Sequence, residues 1–389
     1  MPGGVNASTM LGNRKLILDT FCEVYDLLQP WMDGDFFDFS KHDVVSGAVY
    51  LIGRAQMNHN RERIRELVES DTIRVILSNP AEGSETLKDH CDHVHKCGDL
   101  ARNHRMLLIG GGDMDPAWPC LQYESFLPKI LDYEENQQAA SQSLRIYKTT
   151  NKPYKFLFLN GRSRPHRKYL LERFRLDSLL DQSLWTNLEN RLGSMGQLVL
   201  WHQGQDLMLT PTDVKTLPER YEVNRYRQQG NKIFDSGFVK SDLFNQEWGE
   251  IYIEPAPYID TYFSLVTETV FDYPYSFRTE KIWKPIAMAH PWIAVANTGY
   301  YRDLRNLGFE TFGHFIDESF DQIENSQCRI ERIVEVVTDL CKQDLDEFLA
   351  SAQDICKYNQ QHLSDMRLQV RKEFPERFFQ FISRYQFDE

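Results

Sequence analysis

The sequence predicts an α/β protein of two domains, each built on a parallel β-sheet. Three observations carry this. At 389 residues the chain exceeds the roughly 250–300 residues that one hydrophobic core serves. Short β-type apolar runs alternate with segments at helical spacing, the pattern of parallel sheets joined by crossover helices. Hydrophobic residues at 41% and charged residues at 26% describe an ordinary globular composition.

The first domain is read over residues 1–150. A helix is predicted from Lys15 to Leu28, followed by an acidic, aromatic patch from Asp33 to Asp43. Val44 to Ile52 reads as a strand. Asn60 to Glu69 has helical spacing, with Ile64, Leu67 and Val68 on one face. Ile73 to Leu77 is a second strand, closed by the turn Asn79-Pro80-Ala81-Glu82-Gly83. Leu87 to Leu100 reads as helix, and Met106 to Ile109 as a third strand running into Gly110-Gly111-Gly112. Gly, Pro and aromatics punctuate residues 110–126, and the polar stretch from Glu134 to Ser143 approaches the domain boundary.

The second domain is read over residues 151–389. Phe156 to Leu159 is a strand, Asn160 to Pro165 a turn, and His166 to Arg175 a helix with Pro165 in a favourable first-turn position. Lys155 to Arg175 holds seven Lys or Arg and one acidic residue, in a chain of net charge −13. Such a surplus at a strand-to-helix turn suits an anionic ligand, because β/α folds bind ligands beyond the carboxyl ends of their strands. Compensation by acidic neighbours is the plainer alternative. Leu198 to His202 is strand-like and Thr210 to Tyr221 reads as loop. Helices are predicted over Ile330 to Leu340, Leu345 to Tyr358 and Phe374 to Arg384.

Between them lies the most informative stretch, Tyr262 to Phe312. A strand (Tyr262 to Val266) leads through Glu268 and a loop to Thr279-Glu280-Lys281, where a helix begins that carries Lys284 and Pro285. A second strand, Trp292 to Ala296, a turn at Asn297-Thr298-Gly299 and a helix from Tyr300 to Leu307 follow. Thr279 is a good N-cap, and the free N–H groups behind it favour an anion. Lys281 adds a positive charge where a purely structural helix prefers Asp or Glu. Pro285 deprives the Lys281 carbonyl of its helical donor, so a bend is expected there. A surface helix with a stray lysine accounts for the same residues.

The pattern Phe263-x-Leu265-x-x-Glu268, then Thr279-Glu280-Lys281, then Ala287-Met288-Ala289-His290-Pro291 and an apolar strand resembles the donor-binding signature of α1,3/4-fucosyltransferases. Arg167-x-Tyr169 resembles, more weakly, the arginine-bearing helix start of their donor domains. Thr267 and Thr269 depart from the family's Phe and Asn, and the gap before Thr279 is slightly long. The resemblance implies two facing Rossmann-like domains (GT-B type). It also implies inverting transfer from a nucleotide-sugar, GDP-linked in that family, to an acceptor hydroxyl; the cations present to hold the diphosphate make metal-independent transfer the expectation. Glu280 would meet the ribose and Lys281 the diphosphate, with Glu268 near the donor. Arg162, Arg164, Arg167, Thr279 and Lys284 would complete the donor side. Fold analogy further sends the last helix back to the first domain.

An inverting transfer needs a carboxylate to take the acceptor proton. Glu82, Asp113 and Asp115, at predicted strand ends of the first domain, are the candidates, and the sequence does not choose among them. Asp113-Met114-Asp115 also has the form of a cation-binding D-x-D pair, but it lies outside the donor motifs, so no metal is assigned. His90, His93 and Cys97 share a helix face without a standard zinc spacing and read as a solvated face. The triple glycine is not a dinucleotide fingerprint, and neither a G-x-S-x-G nor a phosphate-loop motif occurs. No cofactor is expected beyond the nucleotide-sugar substrate.

Net acidity argues against nucleic-acid partners and against a generic anionic-membrane patch. Seven cysteines without paired spacing read as reduced thiols. The first thirty residues hold no signal-peptide core, and no run reaches membrane-span length. Family members of the Golgi carry an N-terminal anchor, so the expectation is a cytoplasmic enzyme of bacterial or viral type. Three rivals stand beside this reading: an exostosin-like UDP-sugar transferase, a non-catalytic carbohydrate- or nucleotide-binding protein, and a Mg²⁺-dependent phosphotransferase.

Overall fold

The computed structural model describes residues 16–19, 22–31, 36–37, 47–53, 61–69, 74–83, 106–160, 164–185, 198–202, 205–209, 226–229, 232–235 and 253–385. The chain forms two compact α/β units. The first comprises residues 1–128, 275–277 and 366–389, and the second residues 129–274 and 278–365. The helices Phe126–Ile130 (α3), Glu134–Ala140 (α4) and Leu144–Lys148 (α5) therefore fall largely in the second unit, where the sequence reading had ended the first domain.

The first unit is a six-stranded sheet of order β2-β1-β3-β4-β5-β6. Its strands are Leu16–Asp19 (β1), Phe36–Phe37 (β2), Val49–Gly53 (β3), Arg74–Asn79 (β4), Met106–Gly110 (β5) and Cys120–Gln122 (β6). Every pairing in it is parallel. Both faces are covered, which is why the strands read as unbroken apolar runs rather than alternating ones. Ile17, Tyr50, Ile52, Val75, Leu77, Met106 and Leu108 face the helix Arg61–Glu69 (α2) through its Ile64, Leu67 and Val68. Leu16, Leu18, Val49, Leu51, Ile76, Leu107 and Ile109 point the other way. They pack with Leu28 of the short helix Tyr25–Leu28 (α1) and with Phe374, Phe378, Phe379 and Ile382 near the C-terminus.

The predicted helix from Lys15 to Leu28 is thus corrected. Its first part is the strand β1, because Leu16, Ile17 and Leu18 are all buried on alternate faces of the sheet and pair with Val49, Tyr50 and Leu51. Three consecutive apolar residues fit a helix stripe or a two-sided strand equally, and sheet pairing decides. The predicted helices Leu345 to Tyr358 and Phe374 to Arg384 are one helix of 40 residues, Leu345–Arg384 (α11). The intervening Gln, Arg, Leu and Glu residues are good helix formers, and Pro375 removes a single N–H without ending the helix. No helix among the described residues is long and apolar enough to cross a membrane.

The second unit holds a four-stranded parallel sheet of order β8-β7-β13-β14, made by Tyr154–Phe158 (β7), Leu184–Trp185 (β8), Thr261–Thr267 (β13) and Trp292–Val295 (β14). Two antiparallel hairpins accompany it, β9–β10 (Leu198–His202 with Gln205–Leu209) and β11–β12 (Tyr226–Gln229 with Lys232–Asp235). Around the sheet lie Pro165–Leu176 (α6), Pro255–Ile259 (α7), Glu280–Ala287 (α8), Tyr300–Asn306 (α9), Ser326–Leu340 (α10) and the first part of α11. Phe156 stacks on Phe263 of the neighbouring strand, 5.5 Å between ring centroids, and meets Phe174 of α6 edge-on. The loop predicted over Thr210 to Tyr221 and the helix over Leu87 to Leu100 lie outside the described residues.

Both sheets run in the same doubly wound sense. The chain builds outward from β1 to β2, or from β7 to β8, then crosses back to continue on the other side. In such sheets the loops leaving the two central strands diverge, and the crevice between them is the favoured ligand position. In the second unit that point lies between β7 and β13.

Candidate functional site

The carboxyl ends of β7 and β13 are where the second unit concentrates its polar chemistry. β13 ends at Thr267, whose hydroxyl donates to Asn160 Oδ1 (2.9 Å), just beyond β7. The next residue, Glu268, is fully buried. Its Oε1 accepts from Thr279 N (3.1 Å) and from the Tyr300 hydroxyl (2.9 Å), and its Oε2 accepts from Thr279 Oγ1 (2.6 Å). Burial raises the Glu268 pKa, against the opposing pull of Lys281 and the Thr279 donors. The carboxylate is therefore a strut between the loop after β13 and the starts of α8 and α9.

Thr279 caps α8 as the sequence predicts: its Oγ1 accepts from Lys281 N (3.3 Å) and also from Lys281 Nζ (3.1 Å). Lys281 Nζ reaches Glu280 Oε1 as well (2.7 Å). The Glu280 side chain is buried, which pushes its pKa up. Lys281, Lys284 and the direct hydrogen bond outweigh that and hold it below the ordinary carboxylate value. Glu280 is thus an anion already matched to Lys281. Lys284 lies one turn further along α8 and is partly exposed, and Pro285 sits inside the helix. The helix ends in a Schellman-type turn, His290 N to Pro285 O and Ala289 N to Ile286 O, with Ala289 in the left-handed region at φ 49°.

The basic turn after β7 converges on the same place. Arg167 is 3% exposed, and its Nη2 donates to Thr267 O (2.8 Å) and Glu268 O (3.3 Å). His166 Nε2 donates to Glu268 O (2.9 Å), and its ring stacks on Phe271. Burial first, then the charges of Arg167, Arg164 and Lys281, bring the His166 pKa down to about 3, so the imidazole is neutral and contributes no charge. Arg164 is the N-cap residue of α6, partly exposed, with no side-chain capping bond. Arg162 lies outside the described residues. The site therefore brings together Arg164, Arg167, Lys281, Glu268, Thr279 and Glu280, with Lys284 at its margin.

The start of α9 is satisfied from within. Asp321 Oδ1 and Oδ2 accept from Tyr301 N (2.9 Å) and Arg302 N (3.2 Å), so a protein carboxylate occupies that helix end. Arg329, 2% exposed, locks the neighbouring loops by donating to Ala296 O, Ile323 O and Glu324 O, and its guanidinium lies 4.5 Å from the Phe271 ring centroid. The sequence reading did not single out His166, Arg278, Tyr300 or Arg329. Arg278 is buried directly before the cap, and its charge in an apolar loop was the available signal.

In the first unit, Glu82 and Asp113 occupy the turns after β4 and β5, with Asp115 two residues on. Glu82 O accepts from Gly111 N (2.9 Å), Asp113 N donates to Ser276 O (2.7 Å), and Asp115 Oδ1 accepts from Ala117 N (2.9 Å). The triple glycine has a packing reason. A Cβ on Gly111 would stand 2.3 Å from Pro80 O, and one on Gly112, at φ +67°, would stand 2.3 Å from Ser276 O. The glycines admit the 275–277 segment. The topological switch of this sheet lies between β1 and β3, which end at Asp19 and Gly53. Asp19 escaped notice because the helix expectation hid the strand end. Among the described residues no three or more His, Cys, Asp or Glu gather as a metal site, and His90, His93 and Cys97 lie outside them.

No protein-family model matches the chain, and no curated protein sequence matches it significantly.

Proposed function

We propose that the protein is a glycosyltransferase that moves a sugar from a nucleotide-sugar, GDP-linked by resemblance, to an acceptor hydroxyl, with inversion and without a metal. The observation that carries this reading is the convergence of Arg164, Arg167 and Lys281 at the carboxyl ends of β7 and β13, the switch point of a parallel sheet. In this reading the two doubly wound units form a GT-B enzyme, and the second holds the donor. The diphosphate leaves the anomeric carbon with growing negative charge. Lys281, one or more of the arginines in the turn and helix start after β7, and the first-turn N–H groups of α8 stabilise it in place. Glu280, already paired with Lys281, turns its carboxylate to the ribose. The acceptor proton passes to a carboxylate, with Glu82, Asp113 and Asp115 as candidates.

Calorimetry against GDP, UDP and ADP tests the donor side, and slow hydrolysis of the matching nucleotide-sugars tests catalysis. Binding of one nucleotide with release of its sugar is the expected result. Binding without any turnover would favour a non-catalytic nucleotide-binding protein, and Mg²⁺-dependent phosphate release a phosphotransferase. Lys281→Ala should weaken nucleotide affinity about tenfold, the worth of one charge-assisted contact, and lower transfer in parallel. Unchanged binding and turnover in a folded variant would remove Lys281 from the site.

A further inference from the structure

We infer that Arg164, rather than Arg167, is the arginine that grips the anionic ligand, and that the group it takes is a diphosphate or phosphate ester. The inference rests on the donor-site reading and divides labour within it. The two arginines lie three residues apart at the start of α6 and differ in burial and in what their terminal nitrogens meet.

Arg167 is enclosed, and its Nη2 is committed to the carbonyls of Thr267 and Glu268. It staples the start of α6 to the end of β13. Turning it toward a ligand would strip buried carbonyl oxygens of a charged donor, at a cost the ligand would have to offset.

Arg164 has no such commitment. It adopts extended backbone geometry (φ −143°, ψ 150°) just before Pro165, and its side chain caps nothing. Its Nε is shielded from solvent without a hydrogen-bond partner, as is that of Arg167, but no side-chain hydrogen bond among the described residues ties the rest of its guanidinium, and the side chain as a whole is only partly buried. A guanidinium presents five donors in a rigid fork, and a buried donor left unmet is unfavourable. A phosphate group supplies acceptors in matching geometry, and supplies the charge as well.

The surroundings agree. Arg164, Arg167 and Lys281 all act electrostatically on the His166 ring, so each adds positive potential there. Glu280 opposes them, already paired with Lys281, and Glu268 is spent on Thr279 and Tyr300. A local excess of positive charge with one uncommitted fork is a site for an anion carrying several acceptor oxygens.

The test is calorimetry of the full chain with inorganic pyrophosphate and with GDP, beside thermal melting. Arg164→Met, which keeps the apolar stem, should weaken both ligands about 10- to 100-fold, the range of a lost charge-assisted hydrogen bond, at unchanged Tm. Arg164→Lys, which keeps the charge and loses the fork, should fall between. Arg167→Met should lower Tm and, measured cold where it is folded, bind within about threefold of the wild type. Wild-type affinity in Arg164→Met overturns the assignment alone, as does loss of binding in Arg167→Met at unchanged Tm. If the wild-type protein binds neither probe, the donor-site reading falls and takes the assignment with it.

Discussion

Thr279→Val tests whether the Glu268 strut holds the helix start that the proposed site needs. Valine keeps the shape of threonine and deletes only the hydroxyl, so packing is left nearly alone. The hydroxyl makes three bonds: it accepts from Lys281 N (3.3 Å), closing the first turn of α8, accepts from Lys281 Nζ (3.1 Å), and donates to Glu268 Oε2 (2.6 Å). Loss of a Thr cap costs about 1 kcal/mol. Loss of a donor to a buried carboxylate costs about 2 kcal/mol, because that oxygen has no access to water. Glu268 retains Thr279 N and Tyr300, and Lys281 retains Glu280, so the two losses sum to about 3 kcal/mol without spreading further. For a unit of this size that is a fall in Tm of about 6–12 °C. Melting is followed by near-ultraviolet circular dichroism, in which the buried Trp283 and Trp292 of the second unit report. Thr279→Ser restores these bonds and should recover most of the loss. A valine variant within about 0.5 kcal/mol of the wild type, or a serine variant no better than valine, would refute the strut.

Two further outcomes follow from other parts of the molecule. Gly112→Ala should destabilise the first unit by more than about 2 kcal/mol, since a side chain at φ +67° is strained and its Cβ would meet Ser276 O at 2.3 Å; an unchanged melting profile would show that the 275–277 segment is not seated as described. Acid stability should fall early. His166 and His290 are both held down to about 3, chiefly by burial, so below pH 6.5 the unfolded chain takes up protons that the folded imidazoles refuse. Stability is complete above that pH and declines as pH falls toward 3, by about 2 kcal/mol per histidine between pH 7 and 5. His290→Gln should remove about 2 kcal/mol of that pH dependence in urea titrations, and an unaltered difference between the two pH values would count against a neutral, buried His290.

Much of this molecule is legible in its sequence because the features concerned are local. Leu107, Leu108 and Ile109 form a strand that sheet burial demands on both faces, and Ile64, Leu67 and Val68 declare the buried stripe of a short helix. Thr279 caps the helix that follows it because N-cap, N–H and hydroxyl lie within three residues of one another. The same locality misled the reading where one run suits two periods, as at Leu16 to Leu18. It failed again where Gln, Arg and Leu residues carry α11 through a stretch with no apolar stripe.

What the sequence could not disclose is which charges are free to act, because that depends on partners remote in the chain. Arg162, Arg164, Arg167 and Lys281 are equivalent cations on paper. Only the fold brings the carbonyls of Thr267 and Glu268, a hundred residues later, against Arg167 and commits its Nη2. Only the fold sets Tyr300 on Glu268, so that a carboxylate expected beside the ligand becomes a support for the loops around it. Apolar order dictates elements by repeating along the chain. A binding site depends on which buried donors and acceptors remain unmatched, and that difference is decided when the strands take their places in the sheet.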